Sequence, residues 1–314
     1  MNIFHSFEEI EFNSETVLTV GTFDGVHLGH QTIIGRMLSI AAKEHLRHLL
    51  ITIDPHPQIV LQINGRAPIK LLTNIKERLT LFEMFGIENT LVVPFNIEFS
   101  QIAPEIFVRD YLAKKIGLKK ILIGYDHMFG RDRQGNSGLL EQLSRELSFG
   151  VEKISPFQEK NITISSTKIR HALLENNINQ ANEMLGYNYF VSGKVVYGSG
   201  RGSKLGYPTA NIKIKDNNKL LPANGVYFVS AEIEGRDIYG MANLGTRPTF
   251  TKDNFPTLEV YFFDFNGDIY NKHIQLSFLK FIRIEKKFTG EKDFLAQLKK
   301  DNEFCYNLKK TFYN

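Results

Sequence analysis

The 314-residue sequence is poor in cysteine, in net charge and in long apolar runs. Cys305 is its one cysteine, so no intrachain disulfide can form and a disulfide-stapled secreted fold is excluded. Lys and Arg number 38 against 34 Asp and Glu. That small basic excess suits phosphate-bearing small molecules, and being spread along the chain it gives no reason to expect nucleic acid. No stretch approaches the roughly eighteen consecutive apolar residues of a membrane-spanning helix. The opening "MNIFHSFEEIEF" is acidic and lacks the basic, apolar and small-residue regions of a secretion signal. These absences predict a cytoplasmic protein without a nucleic-acid or membrane partner, and leave the oligomeric state open.

What is present is ordinary globular composition, 42% hydrophobic and 23% charged, in a chain long enough for about two domains. In the first half, short apolar runs at 16–21, 48–53, 90–95 and 120–125 alternate with helix-like stretches at 30–45, 74–86 and 103–117. Strand, helix, strand repeated in this way predicts a parallel sheet covered by helices, a Rossmann-like α/β domain over residues 1–186. Ligands of such sheets sit beyond the carboxyl ends of the strands.

The pattern changes near Gly186. "YFVSGKVVYG", "GVYFVSAEIEG", "RDIYGMANLG", "TLEVYFFDF" and "KHIQLSFLKFIR" are short alternating segments separated by Gly, Asn and Asp. They predict an antiparallel β-barrel domain over 187–314. Phe294, Leu298, Cys305 and Leu308 recur near helical spacing in the last segment, so an amphipathic helix closes the chain.

The first strand runs into "GTFDGVHLGH" (21–30). A tight turn needs a Gly or an Asp but has no use for two histidines three residues apart. At a helix start, where unpaired N–H groups attract phosphate, Gly25 and Gly29 allow close backbone approach. His27 and His30 then stand on one side of the first turn and can stabilise charge on a leaving pyrophosphate. In isolation the pair reads more readily as a helix cap and a packed core histidine, because so short a motif is weak alone. "ISSTKIR" (164–170) adds three hydroxyls and two basic residues at a second helix start, a pattern an ordinary cap also produces.

Taken with "DPHP" (54–57) and "GYDHMFGRDRQGN" (124–136), these segments resemble the adenylyltransferase half of the prokaryotic bifunctional FAD synthetase family, from about Val17 to Gly186. The resemblance implies that ATP lies on Gly21, Phe23, Asp24, His27 and His30, with Ser165, Ser166, Thr167 and Arg170 over its phosphates. It places His56 on the FMN side, and Asp126 and Phe129 along the cleft. His27, His30 and Arg170 would be catalytic. FMN phosphate would attack the α-phosphorus of ATP; that nucleophile is already an anion, so the site needs positioning and charge neutralisation and no general base. Lys168 reads as solvated, and Arg131 and Arg133 fit either loop structure or a phosphate contact. Ile53 stands where the family more often has Phe.

In the second half, Gly198, Gly200 and Gly202 surround Arg201 in a loop that could wrap phosphates or simply form hairpin turns. It is not a Walker loop. Thr209 and Asn211 of "PTAN" present hard oxygens two residues apart, suited to Mg²⁺ already held by ATP. Glu259 in "TLEVY" reads either as an outward strand residue or as a general base for an alcohol. With "PANGVY", "NLGTRPTF", "LEVYFFDFNGDIY" and "FIRIEKKF", these residues resemble the riboflavin kinase domain from about Tyr187 to Tyr306. The resemblance implies that Gly198, Gly200, Arg201, Gly202, Thr209 and Asn211 bind ATP with Mg²⁺. Glu259 would take the proton of the ribityl 5′-hydroxyl, and Arg283 and Glu285 would contact or gate the flavin. Tyr261 replaces a more usual His, and Ser203 a residue often basic.

The expectation is one chain running two steps, riboflavin to FMN and FMN to FAD, with ATP and Mg²⁺ in both. A class I aminoacyl-tRNA synthetase shares the histidine motif, but this sequence lacks a KMSKS-like segment and room for an anticodon-binding region.

Overall fold

A computed structural model describes residues 1–61, 68–125, 128–159, 162–198, 206–246 and 256–312. Asp126, Gly200, Arg201 and Gly202, assigned above to nucleotide and flavin sites, lie outside them. The chain packs as two compact units, Met1–Ser166 and Thr167–Asn314.

In the first unit six strands form a sheet: β1 (Asn2–Phe4), β2 (Thr16–Gly21), β3 (Arg47–Asp54), β4 (Asn89–Pro94), β5 (Leu118–Gly124) and β6 (Gly150–Ile154). All neighbours run parallel, in the order β1-β4-β3-β2-β5-β6. Every residue of β2 from Thr16 to Val20 is buried, as expected of a strand covered on both faces. Helices α1 (Leu28–Glu44), α2 (Pro57–Val60), α3 (Ile75–Met84), α4 (Ile97–Ser100), α5 (Pro104–Ile106) and α6 (Ser137–Leu147) make the crossovers. Beyond Ile106, α5 continues in wide π turns to Ile116. Helix α1 buries Ile34, Met37, Ile40 and Ala41, the stripe that spacings of three and four create. Leu18, Val20, Leu49, Ile51, Leu91, Val93, Ile121 and Ile123 share one core with Phe107, Leu112, Leu140 and Leu143. Gly117 ends its helix at φ 90°, where a Cβ would run into the backbone of Asn13. A short hairpin, β7 (Gln158–Glu159) with β8 (Ile162–Thr163), precedes the second unit.

Helix α7 (Ser166–Leu174) is followed by α8 (Ile178–Leu185), and then by a closed antiparallel barrel. Its strands are β9 (Phe190–Val196), β10 (Ala210–Lys213), β11 (Gly225–Ile233), β12 (Arg236–Thr246), β13 (Pro256–Phe262) and β14 (His273–Arg283). They close in the order β10-β13-β12-β11-β14-β9. The unit begins upstream of the change in pattern at Gly186 because both helices are bonded to the barrel. Ala223 N–H donates to the Leu173 carbonyl at 3.1 Å, and Asn182 Nδ2 to that of Phe278 at 2.9 Å. The Tyr227 hydroxyl donates to Asn176 Oδ1 at 2.6 Å.

The final helix, α9 (Glu291–Phe312), lies on the barrel's outer wall. Cys305 is buried there among Val226, Phe228, Met241, Phe263 and Leu279, with Leu298 and Leu308 beside it. Burial raises its thiol to about 12, which leaves it a packing residue and not a nucleophile.

Candidate functional site

The loop after β2 is folded in an unusual backbone. Phe23 and Val26 both have positive φ, 49° and 36°, beside Gly25 at 83°. Non-glycine residues pay for that conformation in steric strain, so surrounding contacts must hold it. Phe23 is buried and meets Phe82 of α3 edge-on, ring centroids 5.7 Å apart. Asp24 is also buried; its carboxylate accepts from Leu72 N–H at 3.2 Å and Thr73 N–H at 3.0 Å. Thr73 Oγ1 accepts from Gly25 N–H at 2.9 Å. Asp24, which the sequence suggests as a nucleotide contact, therefore ties its loop to a segment 48 residues away.

This loop delivers the chain into α1 with His27 at the N-cap. The His27 side chain makes no capping hydrogen bond, and the first turn carries no acidic residue. Helix α3 is the contrast, with Asn74 and Glu77 forming a reciprocal capping box. Among the described residues no side chain caps the start of α1, where N–H groups of a first turn favour an anion. His27 and His30 stack with centroids 3.8 Å apart and planes 14° apart, and Phe23 meets His30 edge-on at 5.2 Å. A Cβ on Gly29 would sit 3.2 Å from His27 Cε1, so glycine there leaves the lower imidazole its place.

Burial, and then the charge of His27, hold His30 well below the ordinary imidazole value of 6.5. Below that pH the unfolded chain binds a proton that folded His30 refuses, so the α/β unit loses stability as pH falls through and below 6.5. Urea midpoints at pH 7.5 and 5.0 should show this loss, and His30→Gln should make it smaller.

Sequence reasoning missed the group beneath the site. Arg78 of α3 is buried, and its guanidinium donates to the Thr22 carbonyl (2.6 Å), Thr52 Oγ1 (3.0 Å), the Ile53 carbonyl (3.0 Å) and Asp54 Oδ1 (2.6 Å). Burial depresses its pKa, opposed by Asp54 and then Asp24. One cation thus pins the carboxyl ends of β2 and β3. A lone Arg in "NIKERLTLF" gives no sequence signal of that role.

His56 is buried at the N-cap of α2, its Nδ1 accepting from Gln58 N–H at 3.2 Å. Phe129 is half-buried, bridged to Gly135 through both backbone bonds, and packs on Phe107 at 6.2 Å. The half-buried Ser166 hydroxyl donates to the Asp24 carbonyl at 2.9 Å, a bond within the first unit. Ser165 precedes it, half-buried, while Thr167 and Arg170 continue α7 in the second unit. Lys168 is exposed.

In the barrel, pairing register assembles the second site. Leu258, Val260 and Phe262 of β13 point inward and are buried; Glu259 and Tyr261 alternate onto the outer face, half-buried. Directly opposite Glu259 stand Asn211 on β10 and Asn243 on β12. The same cross-strand row runs on from Asn243 to Val226 of β11, and from Val226 to Arg283 of β14. Asn211, Glu259 and Arg283, far apart in sequence, therefore lie along one line around the outer wall. At about 4.8 Å per strand, Glu259 is one strand from Asn211 and three from Arg283.

Gly198 is exposed, and the Asn211 amide lies so close against it that a Cβ there would overlap Nδ2. Thr209 stands one residue before β10, half-buried. Arg283 holds the buried carboxylate of Asp301 on α9 through Nε (2.9 Å) and Nη2 (2.6 Å), and Gln297 donates to the same carboxylate at 2.8 Å. It is thus the latch of the final helix, and Asp301 is a partner the sequence did not suggest. Exposed Glu285 rests its carboxylate against Gly245 of β12, with no room there for a side chain.

Comparison with known proteins divides the chain in two. The family model described as FAD synthetase matches residues 9–168, and that described as riboflavin kinase matches 185–309. Among relatives named bifunctional riboflavin kinase/FMN adenylyltransferase, that of Buchnera aphidicola subsp. Acyrthosiphon pisum is 38% identical over 95% of this chain and 94% of its own. Those of Listeria monocytogenes and Escherichia coli K12 are 36% and 34% identical, each over 91% of this chain and 90% of the relative. A crystal structure described as a macrolide-efflux protein from Streptococcus pneumoniae covers 98% of both chains at 32% identity, with a TM-score of 0.87.

Proposed function

The chain belongs to the bifunctional riboflavin kinase/FMN adenylyltransferase family, making FMN from riboflavin and ATP and then FAD from FMN and a second ATP, and we propose how its residues divide that work. In the barrel, Glu259 takes the proton of the ribityl 5′-hydroxyl as that oxygen bonds to the γ-phosphorus of ATP and ADP leaves. Gly198, Thr209 and Asn211 hold the nucleotide, and Arg283 and Glu285 border the flavin. The observation that carries this is the register: a carboxylate on an outer barrel face, directly opposite the Asn of the "PTAN" segment.

In the α/β domain an oxygen of the FMN phosphate bonds to the α-phosphorus of ATP, and pyrophosphate leaves. The open start of α1, with His27 and His30, takes up the charge developing on pyrophosphate. His56 and Phe129 are assigned to the FMN side. The segment Ser165–Arg170 is assigned to phosphate binding from its hydroxyls and its arginine. The division between the two catalytic domains is placed at Gly186/Tyr187.

Mg²⁺ is the proposed metal of both steps. The Thr209 hydroxyl and the Asn211 amide carbonyl are hard, neutral oxygens, a donor set suited to an ion carried largely by phosphates. When bound, Mg²⁺ neutralises phosphate charge. A cytoplasmic location and the lack of a nucleic-acid partner are proposed from composition. The efflux role in the streptococcal description is not carried over. Both family models concern flavin nucleotide synthesis, and no helix among the described residues is long and apolar enough to cross a membrane.

A time course with riboflavin, ATP and Mg²⁺, followed by chromatography, tests the assignment. FMN should rise first and then convert to FAD. FMN that accumulates unconverted would remove the role given to the α1 site, and FAD formed only from supplied FMN would remove that given to Glu259.

A further inference from the structure

Asn243 opens the segment "NLGTRPTF" and has no role in the division of work above. It projects from the outer face of β12 between the buried Ala242 and Leu244, which point into the barrel. It is exposed, and it stands directly across the strand pair from Glu259. Opposed side chains of an antiparallel pair have their Cβ atoms about 5 Å apart, so an amide here reaches a carboxylate there. Asn211 occupies the equivalent place on the other side of Glu259. The two asparagines differ in what fixes them: the Asn211 amide is packed against Gly198, whereas Asn243 makes no side-chain hydrogen bond among the described residues.

On the assignments proposed above, the row also orders the substrates. Asn211, on the nucleotide side, is at one end; Arg283 is at the other, and Glu285 rests against Gly245, two residues from Asn243 on the same strand. Asn243 therefore lies on the flavin side of Glu259, where the attacking alcohol must arrive.

We infer that Asn243 is a positioning residue of the kinase step: its amide N–H donates to the Glu259 carboxylate in the reacting complex, leaving the other carboxylate oxygen aimed at the ribityl hydroxyl. Catalytic hydrogen bonds commonly tighten only when substrate is bound, so an exposed amide one strand away in the free protein is the expected starting geometry. The inference rests on Glu259 being the base.

Its test is the steady-state kinetics of riboflavin phosphorylation by the full chain, for wild type, Asn243→Ala, Asn243→Asp and Asn243→Gln. Losing one hydrogen bond to a charged group should lower kcat about 10- to 100-fold in Asn243→Ala, with KM for ATP little changed. The decisive readout is that split between kcat and KM together with rescue. Asn243→Gln keeps an amide donor and should recover part of kcat, whereas Asn243→Asp keeps the shape without the donor and should not.

FAD formation from supplied FMN should be unaffected and reports that the chain is folded. A wild-type kcat in Asn243→Asp, or a loss in Asn243→Ala confined to KM, overturns the inference. Glu259→Gln in the same series separates the two readings. If it keeps phosphorylating riboflavin, the base assignment itself fails; if it is inactive and the Asn243 variants keep the wild-type kcat, only the role of Asn243 falls.

Discussion

Glu259→Gln should reduce riboflavin phosphorylation by about 10²- to 10⁴-fold, the span over which a positioned general base contributes, while FMN supplied directly is still converted to FAD. The substitution keeps the size and outward direction of the side chain. Leu258 and Val260 on either side still fill the barrel, so the fold has no reason to change. What disappears is the capacity to take the alcohol proton. A primary alcohol is a poor nucleophile while it keeps that proton, whereas the FMN phosphate used in the other step needs no base. The asymmetry between the two activities of one purified sample is therefore the measurement. KM for ATP should stay near the wild-type value, because the nucleotide is assigned to the β10 side. Loss of both activities together would mean that Glu259 matters to the fold and not to the proton, and retention of both would remove it from the reaction.

That contrast also marks what could be seen without coordinates. "TVLTVG" announces a fully buried parallel strand, and "TLEVYFF" a half-buried one, because burial periodicity is written residue by residue. The motifs were legible for the same reason: their residues are adjacent in sequence. The edge strands β1 and β6 were not, being three residues long in one case and "GVEKI" in the other, with too few apolar positions to stand out. Nor does the sequence show that Asn211, Glu259, Asn243 and Arg283 share a row. That depends on how a barrel of six strands closes, and a slip of one residue in any pair would turn the alternation to the wrong face. Arg78 and Asp301 stayed hidden because a charged residue in a helical stretch reads as solvated. Only packing reveals that one is buried against the loop after β2 and the other under Arg283. Asp24 reads as a ligand contact in a loop, and its bonds to Leu72 and Thr73 connect it to residues no local pattern could supply.

The complementary loss is expected at His30. His30→Ala should slow FAD formation from FMN by about 10²- to 10³-fold, the cost of removing one preorganised donor from a developing negative charge, and leave riboflavin phosphorylation intact. The stack with His27 at 3.8 Å constrains how the pair can act. Two imidazolium rings at that distance repel strongly in a site of low dielectric, so both are not charged together. With His30 held neutral in the free protein, its contribution begins as an N–H hydrogen bond and grows as phosphate binds, because a neighbouring anion favours the protonated ring. Truncation also opens space beside Phe23, so a second variant is needed to distinguish a missing donor from a loosened loop. His30→Asn keeps a donor of similar reach and should recover part of the rate that His30→Ala loses. Equal loss in the two variants with equal falls in thermal stability would place His30 among the packing residues of the strained loop. Partial recovery in Asn, at a stability no higher than that of Ala, can come only from the donor.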